Sequence, residues 1–177
     1  MILTARLKLI PATTVHLEAA LDGESALGAA LEVSVPETWP PEFLDEAAYR
    51  YTLERVAKGG PHTQWWLYFV ILGGERPALI GTVGYKGPPA DGTVEVGYGI
   101  VREHQRRGYA TEATEALIAR AFEFSEVTRV IAETLPELTA SIGVLEKCGF
   151  HRVEESPELE SSEPGVIRFA RERSPAQ

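Results

Sequence analysis

The chain has 177 residues, 44% hydrophobic and 24% charged, which suits one soluble globular domain with a substantial core rather than two large ones. Seventeen Lys and Arg against 26 Asp and Glu give a net charge of -9, which opposes binding to nucleic acid or anionic lipid and favours a cationic partner. One cysteine, Cys148, and four scattered histidines exclude an internal disulfide and give no metal-ligand spacing; no apolar run reaches membrane-span length and the start lacks a signal-peptide core, so a cytoplasmic protein without metal is expected.

In chain order, "TARLKLIPAT" alternates Ala5, Leu7 and Leu9 with Arg6 and Lys8 and reads as a first strand. "TVHLEAALDGESALGAALE" is mostly helix-forming, and the prolines of "SVPETWPP" stop it. A second helix is expected from Glu42 to about Lys58, closed by Gly59 and Gly60. "QWWLYFVIL", "ALIGTVGYKG" and "TVEVGYGIV", separated by "GGERP" and "PPADG", read as three consecutive antiparallel strands. Trp65 and Trp66 cannot both face the core of one strand, whereas Tyr98 alternates with Val94, Val96 and Ile100 and is assigned to the core.

A helix follows over 111–124, then a strand "RVIAETL", a short helix "TASIGVLEK", a strand "FHRVEE", an acidic loop "SPELESSEPG" and a last strand "VIRFAR". Residues 1–171 form the expected single domain and 172–177 a frayed tail. The order β-α-α-β-β-β-α-β-α-β-β is mixed α/β: one central twisted sheet, mostly antiparallel, with helices on both faces.

The most informative junction is "QRRGYATEA", residues 105–113, where the strand ending in Ile100 meets the helix. A helix start leaves N–H groups without partners at the positive end of its dipole, so this basic, glycine-containing turn is a ready anion site. Main-chain groups of Gln105, Arg106, Arg107, Gly108, Tyr109, Ala110 and Thr111 can wrap a diphosphate, with Gly108 and Ala110 keeping side chains out of its way, and Arg102, Arg106 and Arg107 add positive charge. "GTVGYKG" lacks the ending of a P-loop, and "GYG" at 97–99 lies inside a strand, which excludes both other nucleotide motifs.

A strand, Q-x-x-G-x-A opening a helix, a further strand and "SIGVLEKCGF" together resemble the GNAT acetyltransferase superfamily. "LTARLKLIPAT", "VEVGYGIV", "GYATEA" and "ASIGVLEKCGF" are similar to its branch of ribosomal-protein-alanine N-acetyltransferases. The resemblance implies that the anion is the diphosphate of acetyl-coenzyme A. It also implies that the strand before the turn splays from its neighbour, so that main-chain groups around Ile100, Val101 and Arg102 take the pantetheine arm and polarise the thioester. Gly97 and Gly99 suit close approach of a ligand there.

The acceptor implied is a primary amine, either a protein N-terminus or lysine, or a small cationic amine. Glu95 and Glu103 are the candidate general bases, since the attacking amine must be uncharged; His104 is taken as a lining residue. Many members of the superfamily carry a tyrosine acid where Leu145 stands here, and an asparagine where Leu138 stands. Ser141, which matches a serine near the coenzyme sulfur, is therefore the candidate acid; its other reading is a helix cap. Trp39 is either a cover for the acceptor pocket or an anchor, and Cys148 a packed residue. A coenzyme-binding module without catalysis is the alternative that Leu138 and Leu145 leave open, as is a structural or interaction protein with a vestigial site. A homodimer through the late strands is compatible with the arrangement, though no periodic apolar face marks it.

Overall fold

The computed structural model describes residues 1–153 and 165–174. Among the described residues five α-helices and eight strands follow one another as β1 (Ile2–Leu3), β2 (Leu7–Pro11), α1 (Thr14–Asp22), α2 (Glu24–Leu31), α3 (Glu46–Val56), β3 (Leu67–Leu72), β4 (Ala78–Tyr85), β5 (Thr93–Ile100), α4 (Tyr109–Phe122), β6 (Arg129–Thr134), α5 (Thr139–Lys147), β7 (His151–Arg152) and β8 (Ile167–Glu172). The strands form one sheet in the order β1-β2-β3-β4-β5-β6-β8-β7. Every pairing is antiparallel except that of β5 with β6. This is the mixed α/β, mostly antiparallel architecture that the pattern predicts.

Local chemistry sets the differences in detail. The first helical stretch is two helices, because Gly23 takes φ 121° and ends α1 before Glu24 opens α2. The next helix starts at Glu46 rather than Glu42: the Asp45 carboxylate accepts from the Ala48 N–H at 2.8 Å and fixes the N-terminus there. Trp65 ends a short 3-10 turn, so β3 begins only at Leu67. At the other end β8 runs through Glu172, and the Arg173 guanidinium is tied to the carbonyls of Phe122, Phe124 and Val127, so the chain is held past the point where fraying is expected. Residues 154 and 155 of the expected late strand, the acidic loop up to Pro164 and the last three residues lie outside the described residues.

Period two assigns the sheet its two faces. On one, Tyr68, Val83, Tyr85, Val94 and Val96 are buried beneath α4, and the Tyr85 hydroxyl donates to the Leu117 carbonyl at 2.6 Å. On the other, Phe69 packs against His16 of α1 and against Trp39, and a Cβ on Gly99 would meet Pro41 at 3.0 Å. Helices or their connections therefore cover both faces.

Candidate functional site

The site begins where β5 leaves its neighbour. β5 and β6 pair in parallel only over Thr93–Glu95 and Arg129–Ile131, whereas β4 stays paired with β5 up to Ile100. Beyond Glu95 the two strands part. The Val101 N–H donates to the Ile80 carbonyl (2.9 Å) and the Lys86 N–H to the Glu95 carbonyl (2.9 Å), so by antiparallel alternation the peptide groups of Tyr98 and Ile100 point away from β4, into the opening. The N–H of Val101 is thus committed to the sheet, while that of Ile100 faces the cleft.

The cleft runs into the basic turn. Arg102–His104 make a 3-10 turn, Arg106 has φ 62° and Gly108 has φ 81°, two left-handed residues around Arg107. The Gln105 N–H is used by the Arg102 carbonyl (3.3 Å), and its side-chain amide donates to the Ile100 carbonyl (2.8 Å), pinning the turn to the strand end. The first bond of α4 runs from the Glu112 N–H to the Gly108 carbonyl (3.0 Å), leaving Tyr109, Ala110 and Thr111 without helical acceptors. Consecutive N–H groups in a turn of mixed handedness form a concave cradle for an anion. Arg102, Arg106 and Arg107 are all exposed around it, so the residues present fit a diphosphate.

Across the cleft stands the N-terminal turn of α5. Ser141 is its third residue, and no side chain caps the helix at Leu138, so the reading of Ser141 as a helix cap is not what the geometry gives. Its Oγ lies 3.1 Å from the Tyr98 hydroxyl, which also donates to the Ser141 carbonyl at 3.0 Å. Tyr98 occupies the expected sheet face but is only half-buried, and its phenol bridges β5 and α5. Burial pushes its pKa up to about 12, against the lowering effect of the Ser141 hydrogen bond, so it is a protonated donor at neutral pH. Leu145 is fully buried and offers the cleft no polar group. Sequence alternation identified the face of Tyr98 and missed its hydroxyl's partner.

The opposite face of β5 carries Glu95, Gly97 and Gly99. A Cβ on Gly97 would meet nothing within 4 Å, so open space lies beside Glu95. The Glu95 carboxylate is 16% exposed and sits 2.5 Å from Lys86 Nζ. Burial raises its pKa and Lys86 partly opposes the rise. Glu103, in contrast, is 48% exposed beyond the strand end, with Oε1 3.6 Å from Nε2 of His104. The two candidate bases therefore occupy different environments, and only Glu95 borders the opening between strands.

The remaining residues are structural in placement. Trp65 is buried against Tyr85 and Phe124, while Trp66 lies on the other side with its ring near Gly87 and Tyr51. Trp39 is buried against Phe69 and acts as an anchor. Cys148 is buried beneath α4, and burial pushes its thiol up to about 12, which keeps it protonated and unreactive. Among the described residues no cluster of His, Cys, Asp or Glu could hold a metal ion, and no helix is long and apolar enough to cross a membrane.

The Acetyltransferase (GNAT) domain family profile matches residues 6–151. The uncharacterized N-acetyltransferase YjdG of Bacillus subtilis is 29% identical over 113 residues, a stretch that spans 63% of this chain and 66% of that protein, short of its full length. Among solved structures, ribosomal-protein-S5-alanine acetyltransferase from Vibrio fischeri superposes with a TM-score of 0.66 at 17% identity, covering 96% of this chain and 94% of that one. RimL, the ribosomal L7/L12 alpha-N-protein acetyltransferase in complex with coenzyme A, gives a TM-score of 0.63 at 17% identity, covering 96% and 95%. At these identities the structures establish a shared fold.

Proposed function

The chain belongs to the GNAT acetyltransferase family, and we propose on that premise that it transfers the acetyl group of acetyl-coenzyme A to a primary amine within a ternary complex. The observation that carries this reading is the parting of β5 from β6 after Glu95, which opens a cleft directly into the N–H cradle of the basic turn. The coenzyme supplies a thioester whose C–S bond breaks as the amine's C–N bond forms. The chain supplies the rest. The cradle at 106–111 takes the diphosphate, with Arg102, Arg106 and Arg107 as its charged surround. The Ile100 N–H faces the thioester carbonyl, where developing negative charge needs a donor.

Glu95 removes the proton from the attacking amine, directly or through one water, and the Tyr98–Ser141 hydroxyl pair returns a proton to the departing sulfur. The acceptor is a protein N-terminus or a small cationic amine, in keeping with the net charge of -9. An acceptor screen read by release of free coenzyme A thiol tests the reading. Turnover with at least one amine class is expected; slow acetyl-coenzyme A hydrolysis with no turnover on any amine would instead identify a non-catalytic coenzyme-binding module.

Two further results are expected. Acetyl-coenzyme A at 100 times its dissociation constant should stabilise the fold by about 2.7 kcal/mol, because it binds only the native state. For a chain of this size that is a rise in Tm of roughly 5–10 °C in a thermal scan. Ser141→Ala and Tyr98→Phe should each lower kcat with little change in coenzyme affinity, because their hydrogen bonds strengthen as charge develops on sulfur. If the two hydroxyls act as a unit, the double variant should lose no more than the more damaging single one. Additive losses in kcat would separate their roles, and a fall in stability with full activity would make the pair structural.

A further inference from the structure

The turn between β1 and β2 reaches the diphosphate cradle from more than 100 residues away in the sequence. The Thr4 N–H donates to the Leu7 carbonyl (3.0 Å), closing a tight turn that projects Arg6. Arg6 Nη1 donates to the Arg107 carbonyl at 3.0 Å, and Nε to Glu112 Oε2 at 2.6 Å. The Arg6 backbone N–H and the Thr4 hydroxyl both donate to Glu112 Oε1, at 2.8 and 2.6 Å. The guanidinium carbon stands 4.5 Å from the centre of the Tyr109 ring, and Nη2 lies 3.4 Å from where a Cβ on Gly108 would be. One side chain therefore contacts Arg107 and Tyr109 on either side of Gly108, together with the first-turn carboxylate.

Two physical needs meet at this point. Arg106 and Gly108 hold left-handed conformations on either side of Arg107, and a non-glycine residue in that region persists only where its surroundings over-determine it. Fixing the Arg107 carbonyl from outside determines which way the adjoining peptide groups face. Glu112, moreover, places a carboxylate one turn from the proposed diphosphate, where like charge would oppose binding. Although burial alone would raise its pKa, the Thr4 hydroxyl and the backbone and side chain of Arg6 hold it below the ordinary range, so it is ionised at neutral pH and its charge is met by Arg6.

We propose that Arg6 is a positioning residue for coenzyme binding: it braces the strained turn through the Arg107 carbonyl and neutralises Glu112, so that the N–H cradle is presented to a diphosphate. The inference rests on the reading of that turn as the diphosphate site. Arginine suits the task where lysine does not, because its planar fork reaches a carbonyl and a carboxylate at once.

The test compares two donors by amide NMR titration: acetyl-coenzyme A, and S-acetylpantetheine, which lacks the diphosphate. In the wild type both should shift the Tyr98 and Ile100 amides, and only acetyl-coenzyme A those of Arg107, Gly108 and Ala110. Arg6→Ala should raise the Kd for acetyl-coenzyme A about tenfold or more, as expected for loss of charge-assisted hydrogen bonds, and that for S-acetylpantetheine by less than about twofold. Arg6→Lys, which keeps the charge without the fork, should fall between wild type and Arg6→Ala, and it serves as the second variant if the alanine protein fails to fold. Equal weakening of both donors in either variant would mean a merely structural role and overturn the proposal, as would acetyl-coenzyme A affinity within twofold of wild type in the folded variants. Wild-type protein that binds the two donors equally, without shifts at 107–110, would remove the diphosphate reading itself before any variant is compared.

Discussion

Glu95→Gln is expected to lower kcat by about 10²-fold or more, within the usual range for loss of a general base. The loss should shrink as pH rises and solvent takes over deprotonation of the amine. Because burial raises the Glu95 pKa, with Lys86 only partly opposing it, the proposed base ionises at a higher pH than an ordinary glutamate. The inflection that Glu95 contributes to kcat/KM should therefore sit above that of an ordinary glutamate in the wild type and be absent from the glutamine variant, whose remaining rise with pH follows deprotonation of the amine alone.

Stability gives the control, with the opposite sign. A carboxyl whose folded pKa is raised contributes most below its unfolded pKa and loses that contribution as pH rises through the folded value. Glutamine does not titrate, so the variant's Tm should vary less across that window and be no lower at neutral pH, since the Lys86 left behind is half-exposed and hydrated. Glu103→Gln, at an exposed carboxylate beyond the strand end, should change kcat by less than about threefold. Wild-type rates across pH in Glu95→Gln would leave solvent as the base; a Tm loss of several degrees with normal rates would make Glu95 structural.

The parts of this site that the sequence announces are those whose physics is local. Alternation in "TVEVGYGIV", a glycine where the chain turns left-handed, and a helical period after it define β5, the cradle and α4 from neighbouring residues alone. What alternation cannot say is where a neighbouring strand departs. It assigns Tyr98 to the right sheet face, but the loss of β6 pairing after Glu95 is what lets its phenol reach Ser141 on α5. The cap reading of Ser141 failed for a related reason: α5 begins at Thr139, so Ser141 is already inside the helix with its hydroxyl directed across the cleft.

Trp65 and Trp66 illustrate a second limit. Their opposite placements follow from a 3-10 turn that ends at Trp65, not from the strand period applied to them. Arg6 is the extreme case. In the sequence it is one polar residue of an alternating strand, and its partners Arg107 and Glu112 are brought to it by the pairing of the sheet and the packing of α4. No window of local pattern contains both ends of that contact.

Gly108→Val is expected to abolish most of the thermal stabilisation by acetyl-coenzyme A while leaving a folded protein. At φ 81° a β-branched residue is strained by roughly 1–2 kcal/mol, a loss that a domain of typical stability survives. Ligand binding suffers more, for two reasons that act at the same atoms. The added side chain projects from the N-cap position of α4, where the free N–H groups converge, and its Cβ alone would stand 3.4 Å from Arg6 Nη2, so its γ-methyls crowd the brace that holds Arg107. Relief of the backbone strain would rotate the turn away from its left-handed geometry and misdirect the N–H groups on either side. Thermal scans of both proteins with and without ligand separate these effects: the unliganded Tm should fall modestly, and the rise on adding acetyl-coenzyme A should nearly vanish. Gly108→Ala, with less backbone strain and far less bulk, should keep part of that rise. If the valine protein gains as much from the ligand as the wild type does, the diphosphate does not lie against this turn.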